Sequence, residues 1–150
     1  MPGYNDCYVL APARSATVAA SFLEEFLSER EASFAPEDPS EVLGLPLDFQ
    51  IVQVLQYLEI RLDTGYSMYF KNKMNEEPAH AALMFQEDGS LFLMLSVEAD
   101  KGTDFATKWT NRIREFASAE YSYWGWEEPP VDGEAAFKER ALVYSSMKKA

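Results

Sequence analysis

The sequence predicts an α+β fold: an antiparallel β-meander of about five strands with two to three helices packed on one face. Three observations predict it. Short apolar runs, several with period-2 alternation, recur between residues 6 and 97. Glycine-containing turns separate successive runs at hairpin spacing, and two longer segments carry apolar side chains at the spacing of a helical face. With 150 residues, 47% of them apolar, the chain is long enough to bury one continuous core, and no composition shift marks a linker, so a single globular domain over residues 1–150 is expected.

The elements follow in order. Asp6 to Pro12 is a short apolar run ended by proline and reads as a first strand. From Ser15, Val18, Phe22 and Phe26 interleave with Ala19, Leu23 and Leu27 at helical spacing, with Ser15 or Thr17 as the cap. Three prolines, a glycine and several acids between Ser33 and Pro46 favour an irregular loop. In Phe49 to Leu62, the residues Leu58, Ile60 and Leu62 alternate with Glu59 and Arg61, which is strand periodicity. Asp63-Thr64-Gly65 supplies a hairpin turn into a strand from Tyr66 to Lys71. A second hairpin runs from Ala81 to Phe85 and back from Leu91 to Val97 through Glu87-Asp88-Gly89. One sheet face is expected under helices and the other open to water. Thr103 or Asp104 caps a second long helix with Phe105, Trp109, Ile113 and Phe116 on one face. The chain leaves that helix through Tyr121 to Pro130, and a last helix starts at Asp132 and reaches about Tyr144. Met68, Met84 and Met94 fall inside apolar strands and read as core filling, with Met74 outside them.

Charge excludes whole classes of partner. Thirteen basic against 25 acidic residues give a formal charge of −12, which repels nucleic-acid phosphates and anionic lipid head groups. The excess lies entirely in residues 1–100, with five basic and 17 acidic side chains, and is densest from Ala20 to Asp48, where eight acids face only Arg30. The single cysteine, Cys7, allows no internal disulfide, and the N-terminus carries Asp6 before any basic residue with no signal-length apolar run. No stretch approaches the roughly 18 apolar residues of a membrane span. A cytoplasmic location without membrane association is the expectation.

Conventional catalysis finds little material. His80 is the only histidine, in Pro78-Ala79-His80-Ala81, and a Ser-His-Asp or Cys-His site needs a serine or Cys7 brought to it by the fold. One cysteine and one histidine give no nitrogen and sulfur set for zinc, the acids lack EF-hand spacing, and no phosphate-binding glycine loop is present. No cofactor is implied. Leu62-Asp63-Thr64-Gly65 is similar to the Asp-Thr-Gly signature of aspartic proteases, in which paired aspartates activate water. The family continues with a small residue where this chain has Tyr66, and a later apolar-apolar-Gly segment is not evident; Asp and Gly are equally what a turn requires here.

Two features point to binding. The outer face of the first helix presents Glu24, Glu25 and Glu29, with Glu31, Glu37, Asp38 and Glu41 beyond. Glu25 and Glu29, four apart near a helix C-terminus, oppose each other and the macrodipole, so helix stability does not account for them. The choice is between a solvated face and a surface for a basic partner. Tyr121 to Trp126 gathers four aromatics beside a helix end, including Tyr123, Trp124 and Trp126, which suit either an interface anchor or a small core. The leading expectation is a non-enzymatic acidic protein-binding module that neutralises or escorts a basic protein. In size, acidity and lack of catalytic residues it resembles bacterial toxin-immunity proteins, a likeness of type with no motif behind it. Small acidic secretion chaperones share those gross properties but typically begin with a helix. The alternatives are a nucleic-acid mimic, and a small-ligand protein or enzyme with a site assembled on the sheet from Tyr57, Glu59, Arg61, Tyr69 and His80.

Overall fold

A computed structural model describes residues 3–33 and 38–149. The strands are β1 (Tyr4–Leu10), β2 (Arg30–Ser33), β3 (Tyr66–Asn72), β4 (His80–Phe85), β5 (Leu91–Glu98) and β6 (Ser122–Trp126). The helices are α1 (Ala16–Phe26), α2 (Pro39–Val42), α3 (Ile51–Ile60), α4 (Thr103–Ala117) and α5 (Gly133–Lys149). The strands form one antiparallel sheet in the order β2-β3-β4-β5-β1-β6. The α+β class and the antiparallel sheet agree with expectation, but among the described residues the strands number six and only β3-β4-β5 is a meander. The first strand is inserted between β5 and β6, and β2 is added outside β3.

Side-chain alternation gives the sheet two buried faces. On the inner face Cys7, Val9, Met68, Phe70, Leu83, Phe85, Leu93 and Leu95 meet α1, α3 and α4. Helix α1 contributes Ala19, Phe22, Leu23 and Phe26, and α4 contributes Ala106, Trp109 and Ile113. The Phe26 ring lies 5.4 Å from Phe116 and 6.2 Å from Trp109, so aromatic contacts join the two helices. The outer face is not wet throughout. Tyr8, Leu10, Met84, Phe92, Met94 and Tyr123 form a second core under α5, anchored by fully buried Phe137 4.7 Å from Phe92. The expectation of helices on a single face is thereby corrected. An amphipathic segment must bury its stripe, and the inner face is already occupied by three helices. Met68, Met84 and Met94 are buried and Met74 is exposed, as their positions implied.

Other elements differ from the sequence reading in instructive ways. The stretch read as a strand before Asp63 is α3, in which Val54, Leu55 and Leu58 are buried at helical spacing while Ile60 and Leu62 point outward. Gln50 and Gln53 close a reciprocal capping box at its start. Asp63-Thr64-Gly65 therefore joins a helix to a strand and closes no hairpin. In the loop read between Ser33 and Pro46, Asp38 caps the single turn of α2 by accepting from the Ser40 N–H at 2.8 Å. The aromatic segment after α4 is the edge strand β6, paired to β1 with Tyr8 opposite Tyr123.

Arg14 ties these parts together. It is buried, and its guanidinium donates to the carbonyls of Leu58 (2.6 Å), Thr64 (2.7 Å), Arg61 (2.8 Å) and Gln86 (2.8 Å), while lying 5.1 Å from the Phe85 ring centre. One side chain thus donates to carbonyls at the end of α3, before β3 and after β4; those of Arg61 and Gln86 also accept from the Thr64 and Gly89 N–H groups, so it is the Leu58 and Thr64 carbonyls that depend on it most. A similar economy starts α5. The Asp88 carboxylate, in the β4–β5 turn, accepts from the Glu134 N–H at 2.7 Å.

Candidate functional site

The acidic residues singled out in the sequence do not form one face. Glu24 is paired with Arg30 at 3.0 Å. Glu31 sits on edge strand β2 directly across from Lys71 of β3, an opposite-charge cross-strand pair. Asp38 is occupied as the α2 cap, and hydrogen bonds from the Ser40 hydroxyl and backbone hold its carboxyl below the usual range. Glu37 lies outside the described residues. Glu41 is exposed in the first turn of α2.

Glu25 and Glu29 do converge with other acids, on residues that the sequence reading left aside. Helix α1 buries Phe22, Leu23 and Phe26, and this turns Glu25 outward. The connection after β3 is organised by Asn72, whose side-chain amide donates to the carbonyls of Pro78 (2.9 Å) and Glu76 (3.3 Å) while its oxygen accepts from the Met74 N–H (2.9 Å). The Lys73 N–H then donates to the Glu29 carbonyl at 2.9 Å and holds that connection against the end of α1. As a result Glu25, Glu29, Glu76 and Glu77 line one groove of about 220 Å³. Its single lining cation is Arg112, whose guanidinium stacks 4.2 Å from the Trp109 ring centre and 5.7 Å from that of Phe26. Among the described residues no ion pair engages Glu25, Glu29, Glu76 or Glu77. The Glu77 carboxylate accepts from the Glu98 N–H at 2.9 Å, and burial, the largest influence on it, raises its pKa. No periodicity within either segment could have indicated the meeting, because the two are brought together by the crossover from β1 to the far edge of the sheet.

The aromatic segment contributes less surface than its composition promised. Tyr123 is fully buried, stacked on Tyr8 at 5.1 Å and covered by the Arg140 guanidinium at 4.7 Å. Trp124 is half-buried and donates its indole N–H to the Thr107 hydroxyl at 3.0 Å. Only Trp126, 55% exposed, stands in solvent. It ends the edge strand opposite the one that carries Glu31, so those two do not share a rim.

The set named for a ligand site is divided by the sheet. Tyr57 and Arg61 stack on each other at 4.8 Å, and Glu59 accepts from the Ala16 N–H at 2.7 Å to start α1, all on the inner layer. Tyr69 and His80 project from the outer face, because their neighbours Phe70 and Ala81 face inward. Cys7 is equally remote from His80. It lies in the inner core, and burial pushes its thiol up to about 12, so it offers no thiolate.

What the outer face does assemble is a polar row across four neighbouring strands, with Lys71, His80, Ser96 and Asp6 in register. The Ser96 hydroxyl donates to Asp6 at 2.7 Å. Burial, aided by Glu127 and Glu128, lifts the Asp6 carboxyl to about 6 despite that hydrogen bond. At one end of this row a cavity of about 350 Å³ opens between Tyr4, Lys71, His80 and Glu98. Elsewhere a larger depression of about 850 Å³ lies between Gly65–Ser67, Met84–Asp88 and Pro130–Gly133, but its Asp88 carboxylate is committed to Ser90 and to the start of α5. Among the described residues no group of three or more His, Cys, Asp or Glu is placed to hold a metal ion, and no helix is long and apolar enough to cross a membrane. No protein-family model, curated protein or solved structure matches the chain.

Proposed function

We propose that the chain is a non-enzymatic protein-binding module, and that its acidic groove receives a cationic segment of a partner protein. The observation that carries this reading is the convergence of Glu25 and Glu29 with Glu76 and Glu77 around a groove whose one cation is already stacked on Trp109. Four carboxylates held together without ion-paired countercharges repel one another, and a lysine- or arginine-bearing partner relieves that repulsion as it binds. A charge of −12 steers such a partner inward and turns nucleic acid away. Neutralising or escorting a basic protein is the role that fits. The groove is local and concave, which suits a side-chain-bearing segment better than the extended stripe a nucleic-acid mimic requires.

The test is titration with a lysine-glycine repeat peptide at low salt, for the parent protein and two double variants of equal charge change. Removing the groove acids, Glu25→Gln with Glu29→Gln, is expected to weaken binding at least about fivefold. Removing two exposed acids elsewhere, Glu115→Gln with Glu139→Gln, is expected to change it less than about twofold. Equal losses in the two variants would reduce the groove to a contribution to net charge and overturn the reading.

A further inference from the structure

We propose that the cavity at the end of the outer sheet face is a second binding site, which takes a small zwitterion of the α-amino-acid class. Its walls stand on neighbouring strands of one sheet: Tyr4 of β1, Lys71 of β3, His80 of β4 and Glu98 of β5, with Glu76, Glu77 and Lys101 closing the sides. Such walls are set before any ligand arrives, since Tyr4 pairs with Glu98 and Lys71 with His80 in the strand register. The volume of about 350 Å³ lies at the small end of the range for compact ligands.

Several polar groups around it make no hydrogen bond or ion pair, although Glu31 lies across the strand pair from Lys71 and Lys101 acts on Glu77. Among the described residues no hydrogen bond or ion pair engages the Tyr4 hydroxyl, either ring nitrogen of His80, or the ammonium groups of Lys71 and Lys101; the His80 ring meets only the Tyr4 ring, edge-on at 5.0 Å. His80 is half-buried, a position in which polar atoms ordinarily have partners. Burial, the larger influence, and Lys71 keep its pKa below the ordinary value, so at neutral pH it offers one donor and one acceptor.

The charge of the lining selects the ligand. Lys71 and Lys101 favour a carboxylate, whereas Glu76 and Glu98 favour an ammonium group; the third carboxylate of the lining, Glu77, already accepts from the Glu98 N–H. A simple anion meets the field of a protein of charge −12, and a simple cation meets two lysines; a zwitterion of zero net charge satisfies both sides. The carboxylate is placed toward Lys71, His80 and Tyr4, and the ammonium toward Glu76 and Glu98. Glu76 and Glu77 line both this cavity and the acidic groove, but Lys71, His80 and Glu98 line the cavity alone and Glu25 and Glu29 the groove alone, so variants at those residues test the two sites separately.

The experiment is an amide-resolved NMR titration of the full chain with each of the twenty α-amino acids, alongside propionate and propylamine as single-charge controls. Saturable shifts at Lys71, His80 and Glu98 with at least one amino acid, and none with either control, are expected. Lys71→Met and Glu98→Gln, both at exposed positions, are each expected to weaken that binding at least about tenfold while leaving the remaining spectrum intact. Absence of saturable shifts with every amino acid, shifts with propionate or propylamine of the same size, or variants that bind as the parent does would each overturn the proposal.

Discussion

Asp6 is the side chain that the fold changes most usefully for measurement. Its carboxyl is raised from 3.8 to about 6, first by burial and then by Glu127 and Glu128, with the Ser96 hydroxyl pulling the other way. Because the folded state binds this proton more tightly than the unfolded chain, its contribution to stability is complete below about pH 4 and is lost as pH rises through about 6. A shift of this size corresponds to about 3 kcal/mol, reduced to about 1–2 kcal/mol by the solvent contact that Asp6 retains. Asp6→Asn is therefore expected to gain about 1–2 kcal/mol at pH 7 and little at pH 4; urea unfolding at the two pH values checks this, and no gain at pH 7 refutes it. The buried Tyr123 hydroxyl has no hydrogen-bond partner among the described residues. Tyr123→Phe is accordingly expected to be neutral or stabilising by up to about 1 kcal/mol in the same assay. Arg14 sets the opposite limit, since Arg14→Met takes the guanidinium donors away from the Leu58 and Thr64 carbonyls and is expected to cost at least about 2 kcal/mol. Neither Arg14 nor Asp6 carries a local pattern in the sequence. Their importance comes from partners 44 to 90 residues away.

Among the helices of ten residues or more, α5 is held by the fewest core side chains among the described residues. Phe137 and Ala141 are its fully buried anchors in the outer core, with Tyr144 packed beside them. Phe137→Ala is expected to cost about 3–4 kcal/mol and to open α5 selectively, seen as faster amide exchange in residues 133–149 than in α4. Uniform acceleration across both helices would show that the outer core does not open separately. The long helices α1 and α4 were readable because each carries one apolar stripe over three or more turns. Helix α3 reads as a strand in the sequence because aliphatic residues surround it: Ile60 and, just beyond the helix, Leu62 are exposed yet complete an alternation with Leu58 that mimics a strand. The edge strands β2 and β6 escaped notice for another reason. They hold only four and five residues, too few to show a period, and they exist because β3 and β1 offer them unpaired backbone.

At the scale of the whole molecule the charge of −12 makes stability and binding respond oppositely to salt. Raising sodium chloride to about 0.5 M is expected to increase Tm by a few degrees by screening self-repulsion, while abolishing most of the affinity of the groove for a lysine-rich peptide. Thermal melts and peptide titrations across one salt series test both directions, and a Tm that falls with added salt would contradict the account of unneutralised carboxylates. Sequence alone determined the quantities that depend on composition or on near neighbours: the acid excess, the mixed class, the β4–β5 hairpin, and the two amphipathic helices. Only the tertiary structure decided which acids meet, which face α5 covers, and which polar residues share the Tyr4–His80 cavity. The physical reason is range. Helical and strand periodicity act over a few residues, whereas each candidate site is closed by strands whose neighbours in the sheet are distant along the chain.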